Sequence, residues 1–386
     1  MRTLLVLLFV LLAPAALAEE LRIGFLRLDE DPRYDEDFVY ARIALRPQGD
    51  TLTGIRMAIS DMKIVTDARD IQVVLDEGRT TSAALVDQAA RMADAGARYL
   101  VLDLPANQVD QLATALAGRP VTLVNTTAPG DWLRRKCHAN LLHTAASDRM
   151  ISDALVQHMV KQKWRSVLVL HGKSERDIAR AASFTEAAER FRLRVVATRA
   201  FDLSTNPALR EENNVALITG GTRDYDAVFI ADEIGEYARY VPYQTASPRP
   251  VVGATGLVAL EWHWALERYG APQVNSRFES LAQDGRRMGW QDWSAWIAAR
   301  AILTANAKSR DRSAAGIDAF LRSDRLRLDG SKGASMSFRA WNNQLRMPIL
   351  LATHNAIIAV APLEGFLHQT NVLDSMGQDE AEFACE

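Results

Sequence analysis

Only two cysteines, Cys137 and Cys385, occur in 386 residues, too few for disulfides to be the main staple of so long a chain. Long apolar runs are also scarce. After residue 18 no uninterrupted stretch reaches the roughly 18 residues that a membrane-spanning helix needs, so the chain reads as not membrane-embedded. Charge of one sign is missing too: 45 Lys and Arg against 48 Asp and Glu leave a formal net charge of -3. The two signs are interspersed, which gives no footprint for nucleic acid or an anionic membrane surface. A small anion would have to be captured locally, by a few cations. Enzyme signatures are likewise absent: there is no GxSxG elbow, no HExxH, no GxGxxG and no Cys/His grouping at zinc spacing. Gly172-Lys173-Ser174 follows a predicted strand as the end of a phosphate loop would, but Val167 stands where that loop requires its first Gly. These absences point away from an enzyme, and no metal site or catalytic cofactor is expected.

What is present begins with MRTLLVLLFVLLAPAALA, in which Arg2 precedes a long apolar run ending in Ala16-Leu17-Ala18. That is the small-x-small pattern of a cleavable signal peptide. Residues 1–18 are therefore read as a leader, and the mature chain as a periplasmic protein starting at Glu19. Export makes a disulfide chemically permissible. Neither thiol has another partner, so Cys137 and Cys385 are expected to pair.

The mature chain exceeds the size at which one core usually stops growing, which favours two domains. From LRIGFL onward, short β-branched runs alternate with helical patterns: DIQVVLDEG, ARYLVLDL and PVTLVNT are separated by helices over Ser82–Ala95 and Ala106–Ala117, and Gly54–Val65 forms an earlier one. Such alternation implies βαβ crossovers and a parallel sheet covered on both faces. The pattern lapses between Asn125 and Asn140, then resumes with a helix through Met150–Met159, the strand SVLVLHG, a helix over Glu175–Phe191, the strand RVVATRAF, a helix or turn near Pro207–Gly220, and the strands DAVFIADE and RPVVGA. The fold class is thus α/β, with two doubly wound parallel-sheet lobes joined by a hinge. Residues 19–140 form the first part of lobe one and 141–256 the first part of lobe two. Residues 257–386 cross the hinge, supply helices over Val274–Ala282, Asp292–Ala307 and Ala315–Leu321 that complete lobe one, and end in hairpins that complete lobe two. Trp293, Trp296, Ile297, Arg300 and Ala301 share one helical stripe, the pattern of core packing.

In an open α/β sheet, ligands sit beyond the carboxyl ends of the strands. That rule selects Arg27, Glu77, Asp103, Asn125 and Thr126 in lobe one, and His171, Gly172, Lys173, Asp232 and Glu233 in lobe two. The same residue types also serve as helix caps and turn residues.

The segments CHANLLH (Cys137–His143), YDAVFIADE (Tyr225–Glu233), RPVVGATG (Arg249–Gly256), Trp262-His263, SFRAWNNQLRMPIL (Ser337–Leu350) and EGFLHQ (Glu364–Gln369) carry a resemblance to the type I periplasmic binding proteins of ABC importers. This class includes the leucine/isoleucine/valine-binding proteins. More narrowly, these segments resemble the branch associated with pyrroloquinoline quinone (PQQ)-dependent alcohol dehydrogenase systems. The first half matches more loosely, with Lys63–Arg69 standing where an Asn- and Thr-rich turn is expected. The resemblance implies a small-molecule ligand, PQQ or a related compound, an ABC permease as partner and a link to a PQQ-dependent dehydrogenase system. An amino-acid or other carboxylate binder and a ligand sensor or interaction module are the alternatives.

PQQ is a planar tricarboxylate, so its pocket needs flat apolar faces and cations. Trp132, Arg134, Arg135 and Lys136 between the lobes could supply both, as could Trp262, His263 and Trp264 at the later crossing. His143 would orient one edge of the ligand, and Lys136 or Lys173 could add to a quinone carbonyl. Amino-terminal sequencing of the periplasmic fraction should give Glu19 as the first residue; an intact Met1 there would contradict the leader.

Overall fold

A computed structural model describes residues 19–34, 39–40, 43–44, 49–202, 213–221 and 225–386. The leader and the first part of the helix or turn expected near Pro207–Gly220 lie outside the described residues.

Lobe one is built on β1 (Glu19–Leu28), β4 (Ile71–Thr80), β5 (Tyr99–Asp103), β6 (Thr122–Asn125) and β7 (Leu141–His143), with β2 (Val39–Tyr40) and β3 (Ile43–Ala44) forming a separate two-stranded pair. The five strands pair in parallel in the order β4-β1-β5-β6-β7. Strand β5, YLVLD, is buried at every residue, as a parallel strand covered on both faces must be. Helices α1 (Leu52–Asp67), α2 (Leu85–Asp94) and α3 (Ala106–Ala115) make the crossovers, and α4 (Asp131–Arg135) is a single turn after β6. The expected break at residue 140 falls three residues early. Leu141, Leu142 and His143 still pair with β6, because Leu141 and Leu142 are buried on the two faces of this sheet.

The chain then enters lobe two through α5 (Asp148–Lys161), followed by β8 (Ser166–His171), α6 (Glu175–Arg190), β9 (Arg194–Ala200), α7 (Val215–Thr219), β10 (Ala227–Ala231), α8 (Val241–Gln244) and β11 (Val251–Gly253). Its four strands are also parallel, in the order β11-β10-β8-β9. After β12 (Val258–Leu260) the chain returns to lobe one for α9 (Ala271–Leu281), α10 (Trp290–Lys308) and α11 (Ala314–Leu321). Helix α10 is buried nearly all round, Trp293 and Trp296 included, and packs along α1. Gly54 permits that approach: a Cβ there would sit 2.3 Å from the Asp292 carbonyl oxygen. A hairpin of β13 (Leu328–Asp329) and β14 (Ser335–Met336) precedes β15 (Ile349–Ala352) and β16 (Ile357–Ala361), which join β12 in an antiparallel sheet against α5.

The connections between lobes meet at one buried side chain. The Lys332 side-chain nitrogen donates to the carbonyl oxygens of Glu261 (2.9 Å) and Pro348 (2.7 Å) and lies 3.7 Å from the centroid of the Trp293 ring. The Glu261 carboxylate accepts from the Ala146 amide at 3.0 Å. Segments near residues 146, 261, 332 and 348 are thereby tied together. Burial pushes Lys332 well below the ordinary lysine range and pushes Glu261 up. Cys137 and Cys385 form a disulfide across 248 residues, with Cα atoms 5.6 Å apart, as the sequence led us to expect.

Trp262 belongs to the same packed centre. It is 1% exposed, stacks on Trp293 and donates to Asn275 Oδ1 at 3.0 Å. Truncating a buried Trp removes its burial and leaves a cavity, which costs about 3–5 kcal/mol. Trp262→Ala should therefore lower the urea midpoint by an amount corresponding to that range, and a change below about 1 kcal/mol would contradict the packing described.

Candidate functional site

A cleft of about 770 Å³ runs between the lobes. One wall comes from the carboxyl ends of the lobe-one strands: residues 31–34 after β1, 105–107 after β5 and 127–132 after β6, joined by Trp290 and Gln291 at the start of α10. The opposite wall is chiefly one face of α6, with Asp148 and Glu233 beside it. The periodicity of α6 explains that face. Ala181, Phe184 and Ala188 are buried against lobe two, while Arg176, Arg180 and Ser183 recur at helical spacing and line the cleft.

Most charges in the cleft are already met. Arg33 pairs with Asp31 at 2.6 Å and with Asp103 at 3.1 Å, and donates to Thr127 Oγ1 at 2.9 Å. Arg176 makes a two-pronged pair with the buried Asp148. Arg135 pairs with Glu386 at 2.6 Å. Arg180 is the exception among the cleft's arginines: among the described residues it has no carboxylate within 4.0 Å and no hydrogen-bond partner, though Asp148, Asp177 and Glu233 favour its charge from farther away. Burial and the neighbouring Arg176 hold its guanidinium below the usual arginine range, yet an arginine so far from neutral pH keeps its charge. One turn along, Ser183 Oγ donates to Asp131 Oδ2 at 3.0 Å, bridging the lobes, while Asp131 Oδ1 accepts from the Arg149 amide at 3.0 Å. Burial, then Asp148, pushes the Asp131 carboxyl up.

Few of the residues expected from sequence line this cleft. Arg135 and Glu233 do, as does Trp132 from the loop between lobes. Asp103 sits beneath it as an anchor, accepting from Tyr34 Oη (2.7 Å) and Thr51 Oγ1 (3.1 Å) as well as from Arg33. Asn125 shapes the next loop, its side chain accepting from the Thr127 and Ala128 amides and donating to the Ala128 carbonyl. Thr126 Oγ1 is spent on the Leu102 carbonyl. Arg134 is a buried clamp, donating to the Ala128, Gly130 and Ala145 carbonyls and to Gln344 Oε1. Burial lowers its pKa to about 10.

The remaining expectations are corrected in the same way. Arg27 is held by Asp50 at 2.7 Å, and Glu77 pairs with Arg56. Lys173 pairs with Asp202 at 2.6 Å on the surface, His171 Nδ1 lies 2.7 Å from the Gly172 carbonyl oxygen, and Gly172 donates its amide to the Ala231 carbonyl. Asp232 caps the following turn by accepting from the Gly235 and Ala238 amides. Lys136 is exposed outside the cleft. Trp262 is core, and His263, half-buried against Trp264, accepts from the Ala265 amide. His143 is buried in the hinge with Nδ1 3.1 Å from Asn125 Nδ2. The residues that sequence reasoning missed are Arg180, Arg176, Asp131, Trp290 and the Asp31–Tyr34 turn. Their one legible signal was the polar stripe Arg176, Arg180 and Ser183 directly after a strand end.

No family model matches the chain, and no curated protein matches it in sequence. Solved structures do match in shape. A periplasmic binding protein from Burkholderia mallei is 14% identical with a TM-score of 0.69, covering 95% of this chain and 99% of its own. The fold is that of a type I periplasmic binding protein. The branched-chain amino acid transporter substrate-binding protein of Streptococcus pneumoniae, solved with isoleucine, is 15% identical at TM-score 0.62 over 89% of this chain and 99% of that one. An ABC-transporter solute-binding protein from R. palustris, solved with benzoate, is 12% identical at TM-score 0.62 over 95% and 99%. These neighbours are binding proteins, and none of them supports the narrower PQQ branch. Among the described residues no helix is long and apolar enough to cross a membrane.

Burial, with Arg134 adding to it, pushes the His143 imidazole well below its ordinary range. Above about pH 6.5 the imidazole is neutral in both folded and unfolded chain, so it contributes no pH dependence there. As pH falls below that value the unfolded chain takes up a proton that folded His143 refuses, so its contribution to stability is lost in that direction. NMR of the imidazole should show it still neutral at pH 6; a midpoint near 6.5 would contradict this environment.

Proposed function

We propose that this protein is a periplasmic solute-binding protein that closes its lobes on a small carboxylate, an amino acid or an organic acid, and hands it to an ABC permease. The observation that carries the reading is Arg180, a cleft guanidinium left without a carboxylate while the cleft's other arginines are all paired. A half-buried guanidinium without an ion-pair partner is best answered by a ligand or solvent. An Arg fork answers a carboxylate best. The neighbours solved with leucine, isoleucine and benzoate, each a carboxylate, support the class. PQQ, implied by the resemblance of the second half, belongs to the same chemistry and is tested beside simpler acids.

A ligand touching both lobes binds the closed arrangement better, and only that difference can shift the population. Isothermal titration with an acid panel should therefore be paired with small-angle scattering. Hydrogen bonds to charged groups are worth about 1.5–3 kcal/mol, so Arg180→Ala should weaken binding of the best acid about ten- to a hundredfold. The wild-type radius of gyration should fall on saturation. Full affinity in Arg180→Ala, or an unchanged radius, would contradict the reading.

A further inference from the structure

The groups a fold leaves unmatched indicate what it is shaped to receive. The chain has eight tryptophans, and six are matched inside the protein. Trp262 and Trp293 stack on one another, Trp264 lies under Arg287 and Trp296 under Arg300. Trp341 is contacted by Arg339 and Arg346, and Trp164 meets the His158 ring. Trp132 and Trp290 alone have neither a ring nor a cation against them among the described residues, and both are half-buried and line the cleft. Neither indole N–H has a hydrogen-bond partner there.

Local structure sets Trp132 in the same cleft as Arg180. Gly130 leaves room for its indole, since a Cβ at that position would come 2.9 Å from Trp132 Nε1. Trp132 follows Asp131, which meets Ser183 across the cleft, and Arg180 lies one helical turn before Ser183. Trp132 and Arg180 thus belong to the two segments joined by that bridge, and both line the cleft.

We infer that the ligand is a planar aromatic acid with one carboxylate, the carboxylate held by Arg180 and the ring lying against Trp132 and Trp290. This rests on the reading of the cleft as a carboxylate site. Aromatic rings gain from offset or edge contacts beyond the area they bury, so two open indoles favour an aryl group over an alkyl chain of equal size. A single carboxylate follows from the pairing of the guanidiniums: Arg33, Arg135 and Arg176 each have a protein carboxylate and Arg180 has none, while Glu175 and Glu233 in the same lining repel a second anionic group.

The test is calorimetric titration of the full mature protein with benzoate, phenylacetate, hexanoate, L-leucine and PQQ, repeated for Trp132→Ala, Trp132→Phe, Trp290→Ala and Arg180→Ala. The aryl monoacids should bind the wild type at least about tenfold more tightly than hexanoate or leucine. Trp132→Ala and Trp290→Ala should each reduce that advantage about tenfold, with hexanoate affinity changed less than about threefold, and Trp132→Phe should keep most of it. Proton NMR of benzoate bound to the wild type, which needs no variant to fold, should show its ring protons shifted upfield by the indoles.

Equal affinity for aryl and alkyl acids, unshifted benzoate protons, or PQQ binding more than about tenfold tighter than benzoate would overturn this inference. So would a Trp132→Ala protein, folded by its unliganded melting curve, that keeps the aryl preference. The carboxylate reading would survive any of these provided that Arg180→Ala still weakened binding of the acids; loss of that dependence would overturn both.

Discussion

A buried lysine side chain holds the two halves of this protein in register. Lys332 has no carboxylate within ion-pair distance among the described residues, yet its nitrogen donates to two carbonyl oxygens and lies over the Trp293 ring. Those partners come from separate connections between the lobes, and Glu261 extends the node to the first connection through the Ala146 amide. Removing a polar amine from water is expensive unless its hydrogen bonds are restored. The hinge is therefore stable only while these segments stay together. Trp262, stacked on Trp293, is the apolar half of the same joint.

With the hinge fixed, the lobes can differ only in how far they stand apart, and the chemistry between them determines what brings them together. Within the cleft the fold satisfies most of its own charges: Arg33 by Asp31 and Asp103, Arg176 by Asp148, Arg135 by Glu386. Arg180, Trp132 and Trp290 remain, as do Glu175 and Glu233, carboxylates without an ion pair among the described residues. A ligand that supplied a carboxylate and a flat ring would complete in the cleft the matching that the core achieves internally. Such a ligand would touch both lobes, which is the condition for closure.

The architecture was legible in the sequence because its signals are local. Fully buried strands such as YLVLD and helices with apolar stripes announce themselves by periodicity. The disulfide was legible because the chain's two thiols had only each other. The cleft was less so. The strand-end rule found the correct side of the sheet, yet Asp103 and Asn125 are consumed in holding the loops that form the wall, which no local pattern reveals. Trp262 misled for a related reason: a tryptophan in a linker looked available, whereas the hinge has a packed core of its own. Arg180 was passed over as one more polar residue on an amphipathic helix. Only the tertiary arrangement shows that its neighbours' carboxylates are taken, because matching a charge depends on residues far away in sequence.

The central claim is that the unmatched rings of this molecule face its cleft while the others are locked in the structure. Replacing all tryptophans with 5-fluorotryptophan turns each of the eight into a separate fluorine NMR signal, assignable by single substitutions. On saturation with benzoate the signals of Trp132 and Trp290 should move the most, with Trp262 and Trp293 nearly still. Large shifts at Trp262 with Trp132 and Trp290 unmoved would contradict the account.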